Sequence, residues 1–165
     1  MISIHPDLHI LQKTVYEPAG LTVQNIAQDA EGQDYSAATF CINETRIIFR
    51  RGKVTPKKTG FFVTLWKRDA EEAIEPYTVH DPFDCIIISV RSGERLGQFI
   101  FPLSVLSEKG VISSETGEGK LALRVYAPWD SPENELAQQA QAWQSRYFFE
   151  VAPGQKLERI KKLFA

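Results

Sequence analysis

A chain of 165 residues fits one domain better than two, and its composition (43% hydrophobic, 24% charged, 11% aromatic) excludes a disordered or low-complexity segment. The formal net charge of −2 points by itself to no acidic partner. No apolar run approaches the roughly 18–20 residues of a membrane span, and MISIHPDLHILQ lacks the basic region and cleavage site of a signal peptide, so a cytoplasmic protein is expected, its oligomeric state undefined.

His5-Pro6 followed by Leu8, Leu11 and Val15 predicts a short helix with Pro6 at its first position, ended by Glu17-Pro18-Ala19-Gly20. Residues 21–27 are ambiguous in their pattern, and residues 29–34 read as an acidic loop. From Tyr35 the pattern becomes β. Residues 38–42 and 46–50 are strands joined by Asn43-Glu44-Thr45, residues 52–60 form a turn with three lysines, and residues 61–68 are the next strand. Residues 69–81 form a second acidic loop. Residues 83–90 are apolar on both faces, which predicts a central strand. A turn at 91–95 leads to a strand at 97–101, and Pro102 opens a short helix closed by Gly110.

After a Gly-rich loop at 113–120, residues 121–126 alternate as the last strand. Ser131 caps a helix that opens at Pro132 and runs to about Tyr147. Its apolar stripe is Leu136, Ala140, Trp143 and Tyr147, and Gln138, Gln141, Gln144 and Arg146 form a solvated face. Residues 156–164 are a terminal helix. The expected fold is α/β in the α+β sense: one domain over residues 1–165, with a central mixed β-sheet flanked by helices.

Charge is segregated along the chain. Arg46, Arg50, Arg51, Lys53, Lys57, Lys58, Lys67 and Arg68 occupy residues 46–68 without one Asp or Glu, while the other 142 residues carry 11 basic and 21 acidic groups. A basic hairpin of this kind creates a strong local field, and a polyphosphate backbone would relieve its self-repulsion. Trp66 beside Lys67 and Arg68 is placed to stack on a base, and Lys120 and Arg124 form a second basic cluster with Tyr126 and Trp129. The competing expectation is that the cations meet the acidic remainder of the same chain in surface ion pairs, for which the acidic loops at 29–34 and 69–75 are available. Trp129 and Trp143 are expected in the core, and Cys41 and Cys85 as separate buried thiols.

Catalytic signals are weak. Asp84, then Gln98-Phe99-Ile100, echo a metal-dependent nuclease signature, an Asp on one strand and an acidic-x-Lys triplet on its neighbour. Here Gln98 stands for the second carboxylate and Ile100 for the lysine, which disfavours Mg²⁺ binding. A migrated site would draw on Asp84, on Glu31 or Glu44, and on Lys67. The histidines have no zinc-ligand spacing, and no cofactor or metal is expected.

FRRGKVTPKKTGFFVTLWKR (49–68), DPFDCIIISV, LGQFIFPLSVLSEKGVIS and GKLALRVYAPWD together resemble the MepB family from about Tyr35 to Phe148. The resemblance implies a restriction-endonuclease-like fold, and by that analogy nucleic-acid binding. It supplies no catalytic residues. The expected function is a non-catalytic nucleic-acid-binding domain, DNA or RNA, acting through residues 46–68; the alternatives are a Mg²⁺-dependent nuclease and a module that docks an acidic protein partner.

Overall fold

The fold is a computed structural model that describes residues 5–29, 33–152, 155 and 157–164; Glu31 and Lys156 lie outside them. Along the chain come α1 (Pro6–Leu11), a π-helical turn (Gln12–Tyr16), β1 (Val23–Gln28), a 3-10 turn (Gln33–Tyr35), β2 (Ala38–Ile42), β3 (Thr45–Arg51), β4 (Lys53–Thr55) and β5 (Lys58–Thr64). Next are β6 (Trp66–Arg68), β7 (Ile74–Pro76), β8 (Cys85–Ser92), β9 (Arg95–Pro102), α2 (Leu103–Glu108) and β10 (Ala122–Val125). The chain continues through α3 (Glu135–Gln144), its 3-10 extension (Ser145–Tyr147), β11 (Phe148–Val151) and α4 (Glu158–Leu163).

Cys85 to Val90 of β8 are buried without interruption. A strand apolar on both faces is stable only when both are covered, and β8 sits inside a six-stranded sheet of order β1-β2-β3-β8-β9-β11. All pairs are antiparallel except β3–β8, whose register runs from Ile47↔Cys85 to Arg51↔Ser89. Parallel neighbours need a long crossover. Here it is itself β-structured, made of the β4–β5 hairpin and the β6–β7 ribbon. β10 joins β5 to give a second sheet, β10-β5-β4, laid over one face of the first.

Strand alternation fills two cores. Ile48, Phe61, Val63, Ile86, Ile88, Val90, Phe99, Phe101, Leu123 and Val125 pack between the sheets. Leu8, Leu11, Tyr16, Phe49, Ile87, Ile100, Ile160 and Phe164 pack between the large sheet and the helices on its other face. This is the expected mixed sheet flanked by helices.

Several expectations are corrected in detail. The segment read as ambiguous at 21–27 contributes most of the edge strand β1 (Val23–Gln28), and β7 lies within the expected acidic loop. The segment 61–68 is two strands: the Leu65 amide still donates to the Leu121 carbonyl at 2.8 Å, then the chain turns away as β6 to pair with β7. β11 follows the strand expected to be last. α3 begins at Glu135 with Asn134 as its cap, the side chain accepting from the Ala137 amide at 2.8 Å. Among the described residues no helix is long and apolar enough to cross a membrane.

Candidate functional site

The eight cations of residues 46–68 do not form one ribbon. β3 belongs to the large sheet, β4 and β5 to the small one, and β6 to a third. Alternation separates them further. Arg46 pairs with Asp84 at 3.1 Å. Arg50 turns inward between the sheets, only 4% exposed, where it faces Asp29 at 3.5 Å and donates to the Tyr77 hydroxyl and the Phe49 carbonyl. The Lys67 ammonium lies between Asp81 at 2.6 Å and Glu75 at 3.2 Å, contacts that raise its pKa, led by the hydrogen bond to Asp81. Arg68 covers the Trp66 ring at 5.3 Å and donates to the Glu72 carbonyl. For Arg46, Arg50 and Lys67 the ion-pair expectation therefore holds, and they leave the candidate polyanion surface. Trp66 is half-buried under its own neighbour's guanidinium and leaves it as well.

What remains is an outer face built by register. In the small sheet, Phe61, Val63, Leu123 and Val125 point into the core, so Phe62 points outward. Lys53 and Arg124 are its cross-strand partners on either side, forming a cation–aromatic–cation row across β4, β5 and β10. The Arg124 guanidinium lies 5.7 Å from the Phe62 ring, and its Nη1 donates to the Thr59 carbonyl at 3.2 Å. Tyr35 meets Phe62 edge-on at 6.2 Å and carries the Lys53 ammonium over its ring at 5.0 Å. Lys57 and Lys58 stand exposed at the hairpin tip. They line, with Thr59, Arg124, Tyr126 and Glu133, a cavity of about 470 Å³ between the hairpin and the start of α3. Among the described residues no ion pair is made by Lys53, Lys57, Lys58, Lys120 or Arg124.

The catalytic candidates are held apart. Asp84 accepts from the Arg46 backbone amide at 2.8 Å and from its guanidinium at 3.1 and 3.2 Å. Gln98 and Ile100 lie on the helix-facing side of β9, and Gln98 is wholly buried beneath the Tyr16 hydroxyl, which donates to its Oε1. The echo of a nuclease triplet thus points into the apolar layer under the N-terminal helix rather than to solvent. Glu44 sits exposed in the β2–β3 turn. Among the described residues no three His, Cys, Asp or Glu side chains converge to hold a metal. A cavity of about 470 Å³ beside Arg46, Lys67, Tyr77, Asp81 and Phe83 has a largely apolar wall, its cations already paired.

The hydrogen bonds from Arg46 hold the Asp84 carboxyl below its usual range. A depressed folded-state pKa stabilises the protein above the unfolded carboxyl's pKa of about 3.9, and that contribution is lost as pH falls through the folded value. The pair is exposed, so Asp84→Asn is expected to lower stability by under about 1 kcal/mol at pH 7, and by less at about pH 3. Urea denaturation at both pH values checks this. A larger loss would mean that Asp84 anchors more than Arg46.

Two site-shaping roles were not visible in the sequence. Gln144 is fully buried: its Oε1 accepts from the Tyr126 amide at 2.8 Å and its Nε2 donates to the Arg124 carbonyl at 3.1 Å. A glutamine amide offers the same donor and acceptor as a peptide group, so Gln144 extends the small sheet beyond β10 and fixes the Arg124–Tyr126 edge. Gln141 donates to the Ala127 and Asp130 carbonyls. Gln144 belongs to the interior and Gln141 is partly buried rather than on the expected solvated face, whereas Leu136 of the expected apolar stripe is 79% exposed. Trp129 packs on Phe148 at 5.3 Å and Trp143 on Phe101 at 5.3 Å, as expected of core aromatics. Cys41 and Cys85 are free thiols, and burial pushes the Cys85 thiol up. Cys41, on strand β2, is only partly buried, short of the expected burial.

Comparison with known proteins agrees with these elements. No curated protein matches the chain significantly. A solved crystal structure of MepB superimposes with a TM-score of 0.78 at 33% identity, covering 93% of this chain and 100% of the other. A family model described as MepB-like matches residues 29–150, the span that holds all of β2 to β10 and the hairpin face. On both counts the chain belongs to the MepB-like family.

Proposed function

We propose that this protein binds nucleic acid along the outer face of β4, β5 and β10, as a polyanion and without cleaving it. The observation that carries this is the set of four cations, Lys53, Lys57, Lys58 and Arg124, gathered around Phe62 and the hairpin tip without an ion-pair partner among the described residues. Uncompensated like charges repel one another, and phosphates relieve that repulsion while releasing condensed counterions. Phe62 and Tyr35 give the row an aromatic bed, and the planar Arg124 guanidinium offers a surface on which a base can stack. A restriction-endonuclease-like ancestry would fit such a role. The buried Gln98 and the Arg46-bound Asp84 support binding without hydrolysis.

Fluorescence anisotropy with labelled single- and double-stranded oligonucleotides tests the proposal. Four contacted phosphates predict log K falling against log salt with a slope of roughly −3 for single strands and −3.6 for duplex. The double variant Lys57→Glu, Lys58→Glu is expected to weaken binding on the order of 10–100-fold at low salt and to lower that slope by about half, evenly across sequences. Absence of binding at low salt, or unchanged affinity in the variant, would overturn the reading.

A further inference from the structure

We propose that a pocket at the opposite end of β4, where His5 and Asp7 meet the ends of β3 and β8, is a binding site for a phosphomonoester. It goes beyond the outer face just described and shares only Lys53 with it.

The site follows from strand alternation. Arg51 is the last residue of β3 and sits on the helix-facing side, like Phe49 two residues before it. Arg91 lies on the same side of β8, two residues beyond Ser89, the register partner of Arg51. Lys53 opens β4 directly after Gly52. These three cations, with His5 and Asp7, line a cavity of about 470 Å³. That volume is within the range of small-molecule sites and exceeds what a bare phosphate fills.

The charge balance favours a dianion. Asp7 is buried and already engaged: Arg91 donates to its Oδ1 from Nε at 3.1 Å and from Nη2 at 2.8 Å. Arg51 makes one bond to a neutral group, from Nη2 to the Asp34 carbonyl at 3.3 Å, and its Nε is buried with no partner among the described residues. Lys53 lies over the Tyr35 ring and makes no ion pair among the described residues. Arg51, Lys53 and Arg91 against Asp7 leave a surplus of two positive charges. A phosphomonoester carries close to two negative charges at pH 7, because its second pKa is about 6, whereas an internal phosphodiester carries one. Arg51 and Arg91 also offer the planar donor geometry suited to phosphate oxygens.

His5 reports on occupancy. Its Nδ1 accepts from the Asp7 amide at 3.0 Å, and burial, with Arg51 and Arg91 nearby, holds its pKa below the ordinary imidazole value against the opposing pull of Asp7. A bound phosphate would offset the two guanidinium groups and raise that pKa.

The test is NMR titration of the full chain with adenosine 5′-monophosphate, with adenosine and inorganic phosphate as separate arms. The expected result is saturable binding of the monophosphate but not of adenosine, with an upward shift of the His5 pKa. Arg91→Gln should weaken it at least tenfold, as loss of a charge-assisted bond implies. Arg91→Gln also frees Asp7 and could unsettle the fold, so Lys53→Gln, which breaks no ion pair, serves as the second variant with the same expected direction. A His5 signal unmoved by the monophosphate and by inorganic phosphate, or adenosine binding equally well, overturns the proposal. An oligonucleotide pair, 5′-phosphorylated and 5′-hydroxyl, then separates the sources. A preference for the phosphorylated end that Arg91→Gln abolishes identifies a strand end as ligand. Monophosphate binding without such a preference identifies a free nucleotide. Failure of the 5′-hydroxyl strand to bind, with the monophosphate still shifting His5, would sink the outer-face reading and leave this site standing.

Discussion

A Gln98→Glu variant is expected to be about 3 kcal/mol less stable than the parent at pH 7 and nearly equal to it at pH 4. Gln98 is fully buried, held by the Tyr16 hydroxyl, and its Nε2 finds no partner among the described residues. Ser89, its register partner on β8, likewise has a buried Oγ without one. A carboxylate here would lose its hydration among apolar neighbours, the same burial that pushes the Tyr16 hydroxyl and the Cys85 thiol up. A folded-state carboxyl pKa roughly three units above the unfolded value of about 4.3 gives the quoted loss at neutral pH. Because that pKa is raised, the loss grows as pH climbs from about 4 and is complete above the folded value. Urea denaturation of both proteins at each pH measures it. Millimolar Mg²⁺ should not restore stability, since among the described residues no cluster of metal-ligating side chains includes the position. An equal difference at both pH values would show that residue 98 is wet, and would reopen the sheet face as a metal site.

The second large effect belongs to the other core. Phe99→Ala is expected to lower stability by about 3–5 kcal/mol, as deletion of a buried aromatic ring does elsewhere. In a chain of this length that corresponds to a fall in Tm of roughly 6–20 °C. Phe99 is fully buried, stacks on Phe101 at 5.4 Å and meets the edge of Phe148 at 5.0 Å. These three rings tie β9 to β11 and to the layer containing α3. The Phe148 ring cannot easily slide into the gap, because it lies over Gly97, where even a Cβ would come within 2.2 Å of it. Calorimetry gives the measurement, and a loss under about 1 kcal/mol would mean that the layers repack freely.

The central sheet was legible because its signal is local. Six consecutive buried residues in β8 read directly as a two-faced strand, and the proline and glycine around α2 marked its ends. The site was half legible. Counting lysines and arginines located the charge, but the side of the sheet each one takes depends on where Gly52 and Leu65 divert the chain, and on which strand lies opposite. Arg50 and Arg51 are adjacent in sequence, yet one turns between the sheets toward Asp29 and the other toward His5 and Arg91 on the helix side. Carboxylates distant in sequence decide the outcome: Asp81 and Asp84 reach back to Lys67 and Arg46. Gln144 was misassigned for a related reason. Polarity in a helix reads as solvent exposure, and nothing local announces a strand edge that needs one more peptide group.

The β-structured crossover also bears on how the chain reaches its native state. Ile47 finds Cys85 only after both small ribbons have been laid down, Thr64 waits for Ala122, and Phe99 for Phe148. β2–β3, β4–β5, β6–β7 and β8–β9 are joined by short turns, but the pairings that bring these hairpins together lie far apart in the chain. Such distant pairings must close large loops before burial rewards them, which places folding on the millisecond-to-second scale typical of non-local β topologies. Until β8 is clasped from both sides, its isoleucine run is a sticky segment, and dilute refolding should recover more material than concentrated refolding.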